Sequence, residues 1–293
     1  MLSRNQIRIK ILHCIYSSYI KNDFKNIEFK NSFDDYKNLY RRILEILIYV
    51  KNRADFEIQH GLKKNIATED DLNPNTKFTN NIILQKISKD IKSELNDDEK
   101  KIISKKIFFK IKSRKYFKSY MEKENTNIEE EKKIIQKIIK EELFNGPEIF
   151  DYLENKSIYW NDDLFAVQIL LSKMITDYTP NSKKKLNFKK TEIFKNSEDK
   201  NFANKLFSKT LKKREENIKI IHKLAKNWDF ERISTLDSIL IQLAITEMTE
   251  FESIPYKVSI NEYIEIAKIY STKKSHEFIN GILDAFLKKK ILI

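Results

Sequence analysis

Residues 234–248 read STLDSILIQLAITEM, with Leu236, Ile239, Leu240, Leu243, Ala244 and Met248 at i, i+3, i+4, i+7, i+8 and i+12. That spacing predicts a helix with one broad apolar face. Ser234 followed by Asp237 has the spacing of a capping box, with Asp in place of the usual Glu. Downstream, IPYK interrupts the pattern at Pro255, and SINEYIEIAKIY (259–270) starts a second helix with its own box, Ser259 and Glu262. A third helix is expected from about Thr272 to Lys290, with Ile279, Ile282, Leu283 and Phe286 facing inward. Short helices joined by tight connections pack as a bundle.

Asn280-Gly281 breaks a local habit, because this dipeptide usually marks a hairpin turn. The apolar spacing around it is helical, which places Gly281 inside the third helix. A missing Cβ that lets a neighbouring helix come close offsets about 1 kcal/mol of lost propensity.

Outward from this region the composition agrees. Three Gly and four Pro in 293 residues are too few for the turns of a sheet protein, so the expected class is all-α. Helices are expected at about 7–20, 36–53, 78–95, 99–121, 128–144, within 148–178, and as one long helix at 199–226. In NGP (145–147), Gly146 suits the position after a helix and Pro147 the first position of the next. The stretch NSKKKLNFKK (181–190) reads as an exposed basic connection. The expected division is 1–227, with a long insertion at about 21–227, and 228–293 as a three-helix C-terminal subdomain.

The net charge is +13, and 48 of the 56 basic residues are Lys. Residues 228–293 hold eight basic and ten acidic side chains, so a polyanion site in that part has to be local. Lysine runs by themselves are usually solvated faces. The single cysteine, Cys14, excludes an intrachain disulfide. No apolar run approaches 18 residues, and the N-terminus lacks the pattern of a secretory signal, so a cytoplasmic protein is expected.

Chemistry is sparse. His13, His60, His222 and His276 show no metal-ligand spacing, and glycine is too rare for a phosphate-binding loop. No catalytic residue, metal or cofactor is expected. Two sets of residues combine cations with aromatics, as phosphates and unstacked bases require. One is Arg4, Arg8, Lys10 and Tyr16; the other is Tyr270, Lys273, Lys274, Ser275 and Phe278, with His276 between. Composition leaves open the alternative that the aromatics are core and the lysines background.

ISTLDSILIQLAITEM (233–248), IPYKVSINEYIEIAK (254–268) and KKSHEFINGILDAF (273–286) resemble, in that order and spacing, the C-terminal half of the NusB family. SRNQIRIKILHCIYSSY (3–19) resembles its arginine-rich first helix. The resemblance covers about 2–20 and 228–290, and the middle is much longer than in ordinary members. It implies an all-α fold of two helical subdomains and a transcription antitermination factor without catalysis. The implied partners are boxA RNA of nascent ribosomal RNA transcripts and NusE, a protein of the small ribosomal subunit. Other Nus factors and RNA polymerase are implied indirectly.

By the same resemblance, Arg4 and Arg8 match basic positions of the RNA-contacting arm, while Asn5 and Gln6 stand where arginine is common. Tyr16 matches a tyrosine near RNA and partner, Asp237 an acidic position that contacts NusE, and Tyr270 and Phe278 aromatics bordering the RNA. Lys274 stands where an acidic residue is frequent and Glu277 where a basic one is. Some relatives dimerise, so a homodimer is a further expectation. Two other readings are a protein-binding helical scaffold and a relic RNA-binding domain of an RNA-modifying enzyme. Against the latter, no glycine-rich strand–turn–helix is present.

Overall fold

A computed structural model describes residues 1–24, 29–92, 97–157, 160–180, 187–189, 192–225 and 233–291. These residues hold helices and no strand, so the fold is all-α. In chain order the helices are α1 (Arg4–Lys21), α2 (Phe29–Leu62), α3 (Glu69–Leu72), α4 (Ile82–Asp90), α5 (Asp98–Ser113), α6 (Lys115–Glu122) and α7 (Ile128–Ile138). A π-helical turn, Ile139–Leu143, follows. Then come α8 (Pro147–Glu154), α9 (Trp160–Thr176), α10 (Ser197–Lys212), α11 (Arg214–Leu224), α12 (Thr235–Glu250), α13 (Tyr256–Tyr270) and α14 (Ser275–Ile291).

The chain forms two compact units. One comprises Met1 with Asp34–Glu192, the other Leu2–Phe33 with Ile193–Ile293. The expected boundary at 227/228 and most of the basic stretch 181–190 lie outside the described residues.

In the 34–192 unit, α2 supplies an apolar stripe of Tyr36, Leu39, Tyr40, Ile43, Leu44, Leu47 and Val50, all buried. Around this core α7 packs on α4, α6 and α9, and α8 on α5 and α9. The expected helix at 99–121 is two, because Arg114 adopts an extended conformation (φ −72°, ψ 137°) between α5 and α6. Pro147 opens α8 as expected, but Gly146 is that helix's N-cap and has φ −85°, not a left-handed conformation. Its lack of a side chain matters for space: a Cβ there would stand 2.3 Å from the Glu142 carbonyl oxygen.

The other unit is built around α12. Every residue from Ile239 to Met248 is buried, so this helix is enclosed on all sides, not on one face as its spacing suggested. Helices α1, α10, α11, α13 and α14 pack on it. The expected helix at 199–226 is broken at Lys213 (φ −95°, ψ 11°) into α10 and α11. Helix α13 starts a turn earlier than the Ser259/Glu262 box implied. Pro255, with φ −59°, is its N-cap, and Ser259 lies buried inside the helix.

Candidate nucleic-acid interface

Helix α1 begins with a full capping box. Ser3 Oγ accepts from the Gln6 backbone N–H, and Gln6 Oε1 accepts from the Ser3 N–H. Gln6, where the resemblance led one to expect arginine, is therefore spent on starting the helix.

One turn on, Arg8 turns into the bundle. Its side chain is 3% exposed and forms a bidentate pair with Glu247 of α12, Nε to Oε2 at 2.8 Å and Nη2 to Oε1 at 2.7 Å. The fully buried Glu247 carboxylate also accepts from Ser259 Oγ (2.8 Å) and Tyr263 Oη (2.9 Å) of α13. Arg8 Nη1 reaches Glu262 Oε2 at 3.1 Å, and Asn5 Nδ2 donates to the same oxygen at 2.9 Å. Burial opposes the Arg8 charge, but the Glu247 hydrogen bonds and the charges of Glu247 and Glu262 carry its pKa above the ordinary value. Burial, then Glu247, pushes the Tyr263 phenol well above its usual range. A charge pair removed from water needs such saturation of its donors and acceptors. The network fixes α1 and α13 against α12, so Ser259 and Glu262 are tertiary ligands, not a helix cap.

A second buried carboxylate sets the turn between α13 and α14. Ser234 Oγ accepts from the Asp237 N–H, as the sequence suggested. The Asp237 side chain does not return to the helix start. It is 6% exposed and accepts from Ser271 Oγ (2.6 Å) and Ser275 Oγ (2.8 Å). Ser271 Oγ and Thr272 Oγ1 also lie 2.9 Å and 2.8 Å from Ser275 Oγ. The turn carrying Lys273 and Lys274 is thus anchored from beneath, and both lysines are exposed just ahead of α14.

One ring contact joins α1 to the residue that ends α13, just before this turn. His13 of α1 contacts Tyr270 edge to face, with ring centroids 5.3 Å apart at 76°. Tyr16, one turn further along α1, is 38% exposed. Tyr270 is half-buried. Arg4, 32% exposed, is held by Glu198 (2.6 Å) and Asp199 (2.9 Å) of α10, whose hydrogen bonds raise its pKa, Asp199 foremost. The remaining candidates face inward. Lys10 is buried with Nζ donating to the Ser32 carbonyl (2.9 Å), Ser275 is the Asp237 ligand, and Phe278 is 9% exposed.

Two participants had little sequence signal. Glu247 is one acid in an apolar run, and its partner lies 239 residues away. His13 is half-buried and joins α1 to Tyr270. Gly281 also departs from expectation: among the described residues a Cβ there would meet nothing within 4 Å, so none of their helices comes close to it. Among the described residues no group of three or more His, Cys, Asp or Glu side chains is arranged to hold a metal, and no helix is long and apolar enough to cross a membrane.

Comparison with known proteins gives a match to the NusB family model over residues 162–288, starting upstream of residue 228. It takes in α10 and α11, which pack on α12. Three curated relatives carry the name transcription antitermination protein NusB. The Salinibacter ruber protein is 51% identical over 86 residues, 29% of this chain and 54% of its own length. That of Thermodesulfovibrio yellowstonii is 47% identical over 96 residues, 33% of this chain and 64% of its own. The Acetivibrio thermocellus protein is 39% identical over 97 residues, 33% of this chain and 67% of its own. The chain thus spans between about half and two thirds of the length of these relatives. No solved structure gives a significant match. With the family match, the relatives' identity and an all-helical bundle around α12 in agreement, the chain belongs to the NusB family.

Proposed function

We propose that this chain is a cytoplasmic transcription antitermination factor. With NusE it binds boxA RNA on nascent ribosomal RNA transcripts and suppresses premature termination by RNA polymerase alongside other Nus factors. The relatives' names support the coarse role. The observation that carries the RNA reading is the His13–Tyr270 contact, which puts the aromatic face of α1 beside the turn bearing Lys273 and Lys274. Exposed lysines suit phosphates, and accessible tyrosine rings suit unstacked bases.

In this reading the candidates divide by burial. Tyr16, Tyr270, Lys273 and Lys274 meet RNA, with Arg4 at the edge after exchanging a carboxylate for a phosphate. Arg8, Lys10, Ser275 and Phe278 hold the frame. Tyr16 offers its ring to NusE as well, and Asp237 serves the partner surface by fixing the α13–α14 turn. No step of this role calls for catalysis or a cofactor.

The test is a fluorescence titration of boxA RNA and a scrambled RNA of equal length, with and without NusE, across salt. Tighter binding of boxA in the presence of NusE, weakening as salt rises, is expected. Equal affinity for both RNAs would refute sequence-specific recognition and leave the protein-binding scaffold as the better reading.

A further inference from the structure

The 34–192 unit contains a cleft of about 1040 Å³. Its charged lining is one-sided. Lys37 and Arg41 come from α2, Lys89 from the last turn of α4 with Lys92 just beyond, and Lys189 from the segment 187–189. Against these five cations stand Asp90 and Glu192. The composition of the unit does not account for this bias, since residues 34–192 hold 32 basic and 27 acidic side chains.

Of the two acids, Asp90 does little to offset it. Asp90 Oδ1 accepts from Lys86 (2.5 Å) and Oδ2 from the Phe188 backbone N–H (2.8 Å). Asp90 is therefore occupied in closing the cleft floor, where Tyr40 Oη also donates to the Phe188 carbonyl (3.0 Å). Lys37 has an exposed pairing with Asp34, and Arg41, itself exposed, pairs with the buried Glu45. The ammonium groups of Lys89, Lys92 and Lys189 meet no carboxylate among the described residues. Three separate segments thus bring like charges to one concavity, an arrangement that costs folding free energy unless an anion is bound.

We propose that this cleft is a second RNA site, one that grips backbone phosphates without reading sequence. All five cations are exposed, four of them lysines. Mobile ammonium groups act as point charges and suit a flexible phosphate chain better than one fixed small ligand. The buried floor aromatics, Tyr40 and Phe188, present no ring for base stacking, which argues against sequence preference here. The choice of RNA over another polyanion rests on the proposed function above.

The experiment titrates a scrambled 20-nucleotide single-stranded RNA with the full chain and with its Lys89→Ala/Lys92→Ala/Lys189→Ala variant, across salt. The expected result is roughly tenfold weaker binding at low salt and a salt slope reduced by up to about 2, at about 0.7 for each phosphate left unneutralised. The boxA-to-scrambled affinity ratio should stay unchanged, and the triple Lys→Arg variant should retain binding. Unchanged affinity and slope in the alanine variant would overturn the proposal, as would tight ATP binding lost in that variant while RNA binding is kept. Loss of scrambled-RNA affinity in a chain without boxA preference would sink the proposed function and leave the cleft standing. An intact boxA preference with an inert cleft would do the reverse.

Discussion

Each unit buries a glutamate against an arginine, and the two pairs are built differently. Glu247 is met by Arg8 from 239 residues away, and that arginine is itself 3% exposed. Glu142 is met by Arg114 at 2.7 Å from 28 residues away, with Tyr116 Oη at 3.2 Å, and Arg114 is 42% exposed. The first pair ties an N-terminal helix to a C-terminal one. The second closes within a few neighbouring helices. Locks formed over short separations cost less loop-closure entropy and form earlier. The 34–192 unit therefore carries its charged anchor locally, while the family-matched bundle completes its own only when the chain ends meet. The long-range lock lies in the same unit as the candidate RNA face, whose own anchor is Asp237 at the other end of α12.

The same deletion should separate the two units. Glu247→Ala leaves the Arg8 guanidinium without its main partner in a buried site, at an expected cost of about 3–5 kcal/mol. Glu142→Ala lets the half-exposed Arg114 turn to water and should cost about 1–2 kcal/mol. Denaturant unfolding of both variants checks the contrast, and equal losses would remove it. Arg8→Met combined with Glu247→Leu should cost less than Glu247→Ala, because no charge is stranded.

A smaller effect of opposite sign is expected at Gly281. With open space around the missing Cβ and a helical backbone, Gly281→Ala should stabilise the bundle by about 0.5–1 kcal/mol. A lower unfolding midpoint would show that the position is constrained after all.

The bundle was legible in the sequence where apolar periodicity met a clear stop. The apolar runs of α12 and α14 carry the fold class and the resemblance, but the helix starts were missed: α1 begins at Arg4 after Ser3, not at about 7, and α13 at Tyr256 after Pro255, not at the Ser259 box. The breaks at Arg114 and Lys213 were not legible, since neither residue is a glycine or proline and only backbone geometry separates the helices. Nor was the inward turn of Arg8. A basic residue on a helix flank reads as exposed unless its acid is known, and Glu247 lay hidden in an apolar run. Asp237 showed its capping spacing, but local spacing carries no information about Ser271 and Ser275, which occupy its carboxylate from a later helix boundary. The basic stretch holding Lys189 was legible, but not the cleft, because the stretch meets Lys37 and Arg41 of α2 and Lys89 and Lys92 at the end of α4 only in the folded chain.

The most direct test of the RNA face compares the chain with its Lys273→Ala/Lys274→Ala variant. BoxA RNA is titrated in the presence of NusE at several salt concentrations. If both lysines meet phosphates, the salt slope falls by about 1.4, the thermal midpoint stays put, and boxA binds more weakly. An unchanged slope with full boxA affinity would return both lysines to solvated background and contradict the account.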